Sequence, residues 1–146
     1  MNRVEINAEE VPLPAWSPRA EGYILKVLDR LEKDGWDLSV LFCNNVYIRS
    51  LNNKFRSIDE PTDILSFPLG TSLSDRFLPG DIIVSLETLA ENAAYFHVTE
   101  DEELRRLLIH GILHLNGMDH ETNEGGEPML KLQEAILTEL KGETIF

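Results

Sequence analysis

Apolar positions along this chain alternate between helical stripes and short continuous runs, and they predict its elements in order. Val4 to Ile6 fits a short first strand. Pro18 to Asp34 predicts a helix whose apolar face is Tyr23, Ile24, Val27, Leu28 and Leu31. Ser17 is its expected N-cap, Pro18 lies in the first turn, and Gly35 stands just past the end. Leu38 to Cys43 is a continuous apolar run and predicts a buried strand. Asn44 to Phe55 is helical in spacing through Val46, Tyr47, Leu51 and Phe55.

Pro61 ends that helical region, and Asp63 to Phe67 predicts a strand stopped by Pro68. Leu69 to Pro79 is polar and turn-rich, so a loop is expected there. Asp81 to Ser85 predicts another strand, and Ser85 caps a helix over Leu86 to Phe96. Thr99 and Glu102 form a capping-box pair before a helix that runs to about Asn116, where Gly117 stops it. The acids Glu100 to Glu103 suit that helix's positive N-terminus. A last helix follows Pro128 through Met129, Leu132, Ile136, Leu137 and Leu140. The sum is an α+β (mixed α/β) fold: one roughly four-stranded mixed sheet with about five helices. No linker or repeat interrupts it, so residues 1–146 are expected to form a single domain.

Composition narrows the class. At 146 residues the chain can bury roughly 70% of its unfolded surface without staples. Its one cysteine, Cys43, lies in the apolar run and is expected to be a buried free thiol. The absence of an apolar membrane-length run and of a signal-like start predicts a cytoplasmic protein without a membrane partner. A net charge of −13 argues against nonspecific nucleic-acid binding. Yet no acid occurs between Asp37 and Asp59, where Arg49, Lys54 and Arg56 all fall. That segment could face phosphates or simply lie on a solvated face.

The chemistry concentrates in His110-Gly-Ile-Leu-His-Leu-Asn-Gly-Met-Asp-His120. His110 and His114, four apart, share one helix face, and Gly117 lets the chain turn so that His120 approaches the same point. Zinc takes imidazole nitrogens at ~2.0–2.1 Å, and three protein ligands leave a fourth position for water in a catalytic site. Three half-buried imidazoles with no shared partner would each cost about 1–3 kcal/mol. One zinc ion per chain on His110, His114 and His120 satisfies all of them, although imidazoles also suit nickel, copper and iron. The spacing matches a zinc-protease pattern, except that Gly111 stands where those enzymes carry a glutamate base. His97 lies outside the cluster and is expected to be structural.

The same run resembles the YbeY endoribonuclease family, also described as ribosomal RNA maturation factors, which carry H-G-x-L-H-L-x-G-x-D-H. Two further blocks of that family are similar: Arg56 followed by Pro61-Thr-Asp-Ile-Leu-Ser-Phe-Pro68, and Gly80-Asp-Ile-Ile-Val-Ser85. Met118 and Pro79 depart from residues common there. The resemblance implies a metal-dependent endonuclease that cuts single-stranded RNA in 3′-end maturation of small-subunit ribosomal RNA and in ribosome quality control. It implies His110, His114 and His120 as metal ligands and Arg56 as the functional basic residue. A guanidinium there can clamp phosphate oxygens and offset developing charge. The small ribosomal subunit or its proteins are the implied partners. The general base stays open between Asp119, the metal's own water and the RNA 2′-hydroxyl. Thr62 and Asp63 are expected to fix the turn after Pro61. Two other readings stand beside this one: an assembly factor whose metal is structural, and a metalloprotease-like hydrolase with a base such as Glu121.

Overall fold

The computed structural model describes residues 1–146. Strand β1 (Arg3–Ala8) and strand β2 (Asp37–Cys43) run parallel, Val4 opposite Leu38 and Ile6 opposite Val40, with helix α1 (Ser17–Arg30) joining them. Helix α1 ends four residues before the expected Asp34. Glu32 takes a left-handed φ of 58°, and the amides of Glu32 and Lys33 bond back to the carbonyls of Asp29 and Leu28. That is a Schellman closure built on a glutamate rather than on Gly35. Ser17 is the first helical residue instead of the cap, and its hydroxyl donates to the Pro14 carbonyl.

Helix α2 (Asn45–Arg56) begins where Asn44 accepts the Tyr47 amide at 2.9 Å, and Arg56 is its last residue. The larger departure follows it. Strands β3 (Ile64–Leu73) and β4 (Arg76–Ser85) form a long antiparallel hairpin, so most of Leu69–Pro79 is strand rather than loop. Pro68 does not stop β3, because the sheet order β1-β2-β4-β3 leaves β3 at an edge, where a missing N–H is tolerated. The register shifts between Pro68 and Thr71. Opposite Pro68, Gly80 holds φ 138°, and a Cβ there would lie 2.1 Å from the Phe67 carbonyl oxygen. Only glycine lets the two strands come so close.

Helices α3 (Leu86–Phe96), α4 (Glu100–Leu115) and α5 (Pro128–Glu139) complete the fold, five helices on one four-stranded mixed sheet. The main core gathers Val40 and Phe42 of β2, Ile82 and Val84 of β4, and the apolar sides of α1, α4 and α5. A smaller cluster, Cys43, Ile48, Leu65 and Ile83, lies under α2. Cys43 is fully buried and free, and burial pushes its thiol up to about 12. No helix is long and apolar enough to cross a membrane.

Candidate metal centre

Helix α4 positions the first two histidines, and its ends are set by local chemistry. Thr99 caps it by accepting the Glu102 amide at 3.0 Å, as the capping-box spacing predicts. At the other end Gly117, at φ 86°, donates to the His114 carbonyl while Met118 donates to that of Leu113. This Schellman turn reverses the chain directly after His114. His120 is thereby carried back over the helix, and the ring centroids of His110 and His120 lie 5.2 Å apart.

All three rings are half-buried, and one ligand nitrogen from each lies within 4.8 Å of the others. Each Nδ1 has its own acceptor: Gln133 Oε1 at 2.6 Å from His110, the Met118 carbonyl at 3.1 Å from His114, and the Thr122 carbonyl at 2.8 Å from His120. The Gln133 amide is oriented in turn, since its Nε2 donates to Glu134. These partners assign the protons to Nδ1, which leaves every Nε2 with an outward lone pair. The Nε2 atoms of His110 and His114 stand 3.0 Å apart. Two lone pairs at that distance repel unless a cation lies between them. The donor set therefore fits a divalent metal that accepts imidazole nitrogen. Burial, more than the neighbouring His114 and His120, lowers the pKa of His110 and favours its neutral, ligating form, against the opposing bond to Gln133.

Gly111 explains why no glutamate follows His110. A Cβ at Gly111 would meet Ile64 Cδ1 at 2.9 Å and Ile82 Cδ1 at 3.0 Å, because α4 packs directly on β3 and β4. A glutamate base of the protease kind has no room there. Glu121, the alternative carboxylate, is exposed.

The histidines stand between two clefts that share Asp63, Ile64 and His110. One, of about 650 Å³, is lined by Glu103, Arg106 and Glu134. Its cation is already taken, since Arg106 pairs with Glu102, Glu103 and Glu134 at 3.0–3.5 Å. The other, of about 750 Å³, is lined by Phe55, Arg56, Phe67, His114 and Asp119. Arg56, exposed at the end of α2, has no carboxylate partner. Of the three basic residues in the acid-free segment, Arg49 is absorbed by a two-pronged pairing with Asp59, which leaves Lys54 and Arg56.

Asp119 turns back to accept the amide of His120 at 2.8 Å and so stabilises the turn that carries this histidine. Asp63 receives bonds from Thr62 and from Asn92 of α3, and its carbonyl accepts the Ser85 amide. Its side chain meets those of Thr62 and Asn92 rather than the backbone of the turn after Pro61, and it lies between the clefts, which no local pattern revealed. His97 caps α3 at φ 57°, apart from the cluster. Sequence reasoning missed Gln133. Its signal was available: a glutamine among Met129, Ile136 and Leu137 on the buried side of α5.

Comparisons with known proteins place the chain in a family. The family model described as Endoribonuclease YbeY matches residues 4–141. Relatives named Endoribonuclease YbeY include one from Treponema denticola, 44% identical over 99% of this chain and 97% of its own. Another, from Borreliella afzelii, is 49% identical over 82% of this chain and 83% of its own. A solution structure from Thermotoga maritima superposes with a TM-score of 0.62 at 33% identity, covering 98% of this chain and 91% of that one. The chain belongs to the YbeY endoribonuclease family.

Proposed function

We propose that this domain, residues 1–146, is a metal-dependent endoribonuclease that cuts single-stranded RNA. The relatives' name supplies the reaction class. The observation that carries the reading is the gathering of three imidazoles, one ligand nitrogen of each within 4.8 Å of the others, with His110 and His114 lining a cleft whose one arginine is unpaired. His110, His114 and His120 hold one zinc or another divalent transition ion. When bound, that ion supplies positive charge and Lewis acidity at the scissile phosphate.

The protein's own groups do the rest. Arg56 donates to the non-bridging phosphate oxygens and offsets the charge that builds on them in the transition state. Gln133 and the carbonyls of Met118 and Thr122 fix the rings, so that no reorganisation is needed when ion and RNA bind. Charge selects the cleft. One cleft sets Asp63, Glu103 and Glu134 against Arg106 alone, whereas the other sets Asp63 and Asp119 against Arg56, with Lys54 beside it. A polyanion enters the second.

The cellular role that goes with this reading is 3′-end maturation of small-subunit ribosomal RNA and ribosome quality control in the cytoplasm, with the small subunit or its proteins as partners. Cleavage of single-stranded and duplex RNA, measured before and after chelation, tests the reading. Chelator-sensitive cutting of the single strand alone is expected, and it should be absent from His114→Ala. Cutting by metal-free His114→Ala overturns it.

A further inference from the structure

The cleft that holds Arg56 contains an aromatic feature to which the metal centre assigns no task. Phe55 precedes Arg56 on α2, is 58% exposed, and lines the same cleft as His110 and His114. An exposed phenylalanine at a helix end would be expected to swing freely. Here Phe67 of β3 holds it, the ring centroids 5.2 Å apart and the planes at 63°. Phe67 is itself packed against the cluster of Cys43, Ile48, Leu65 and Ile83, so the brace is anchored in the core. Such an edge-to-face contact fixes one side of a ring and leaves the rest open. The Lys54 ammonium lies over the Phe55 ring, 5.2 Å from its centroid, an exposed cation that a stacking base can displace from that face.

Base, phosphate and reaction centre thus each have a group in one cleft of about 750 Å³, within the range of ordinary ligand pockets. Phe55 and Arg56 both line that cleft, one offering a ring to a base and the other a guanidinium to a phosphate. An aromatic face stacks any base, but only one that is not already stacked and paired in a duplex.

We propose that Phe55, braced by Phe67, is the platform on which one unpaired base of the RNA strand stacks beside the cleaved phosphodiester. This rests on the endoribonuclease reading and adds to it a physical source of single-strand preference. Phe55 is a positioning residue: it places the strand so that its neighbour Arg56 meets the phosphate.

The test uses metal-loaded protein and a fluorophore-labelled short single-stranded RNA, together with a series of that RNA in which one nucleotide at a time lacks its base. Phe55→Leu keeps an apolar side chain and removes the ring, and Phe55→Tyr restores a ring. Leucine is expected to weaken binding about tenfold, the usual effect of losing one stacked base, while tyrosine binds as the wild type does. One abasic RNA in the series should lose as much affinity for the wild type, and Phe55→Leu should bind that RNA as tightly as the wild type binds it. Unchanged affinity of Phe55→Leu for intact RNA overturns the platform, as does a loss that no abasic position reproduces. If the wild type cuts this RNA under those results, the endoribonuclease reading stands without the platform. If the wild type neither binds nor cuts any RNA, both fall.

Discussion

Gln133 Oε1 lies 2.6 Å from His110 Nδ1, so a residue on α5, 23 positions away, sets the direction in which the first histidine of α4 presents its lone pair. Gln133 is 6% exposed, and its own amide is held by Glu134. The His110 ring is thus oriented by a group outside the three-histidine cluster.

Replacing Gln133 by leucine keeps the volume and the apolar side of α5 but removes the acceptor. Zinc affinity, measured by competition with a chromophoric chelator, should fall about 10–100-fold, the usual effect of losing such a partner. Helical content should not change. Gln133→Glu retains an acceptor and should keep most of the affinity.

Arg56 is exposed and packs little, so Arg56→Ala should leave folding and metal content as they are. RNA cleavage should fall about 10²–10³-fold, as when one charge-stabilising donor is lost from a transition state. Arg56→Lys should recover only part of it, because an ammonium does not grip two phosphate oxygens in a plane. Single-turnover cleavage rates with metal content measured in parallel check this.

Gly80→Ala should be among the most damaging small substitutions in the chain. Its Cβ would fall 2.1 Å from the Phe67 carbonyl oxygen and 2.9 Å from Pro68 Cα, both backbone. No side-chain rotation relieves that, so a loss of about 3 kcal/mol or more is expected from denaturant unfolding. Gly111→Ala differs, since there the obstructing atoms are the mobile ends of Ile64 and Ile82. A helix propensity gain of about 1 kcal/mol partly offsets its cost.

Asp101 joins α4 to the chain's last residues. It accepts the amides of Ile145 and Phe146 at 2.7 and 3.0 Å and the Arg105 guanidinium at 2.9 Å. Burial raises its pKa, but the two amides and Arg105 outweigh burial and hold the carboxyl below the ordinary value. The folded state therefore binds fewer protons at this site than the unfolded one. Its contribution is complete above the unfolded pKa of about 3.9 and is lost as pH falls through the depressed folded value. Asp101→Asn should destabilise at neutral pH and flatten the acid limb of stability against pH, as measured by urea unfolding from neutral pH downward.

The site was legible because its geometry is local. His110, His114, Gly117 and His120 lie within eleven residues, and helix pitch plus one glycine turn fix where their rings go. Two of the three expected N-caps were equally plain: Ser85 and Thr99 cap as their spacing predicts, whereas Ser17 does not. The hairpin was not legible, because Pro68 and Gly80 read singly as breakers and become compatible with strand only when paired across an edge. The early end of α1 was hidden for a similar reason. Glu32 accepts a left-handed conformation that glycine at position 35 seemed to claim. Gln133, Asn92 and the division into two clefts depend on packing between distant elements, which no local pattern encodes.

Three imidazoles whose Nδ1 protons are tied off are expected to share one divalent ion. Metal analysis of the purified protein, beside His110→Ala, His114→Ala and His120→Ala, decides whether they do. About one zinc or comparable transition ion per chain in the wild type, lost in each variant without loss of helical content, is the predicted result. A wild type that binds no such ion when it is supplied, or variants that bind it as well as the wild type does, would contradict it.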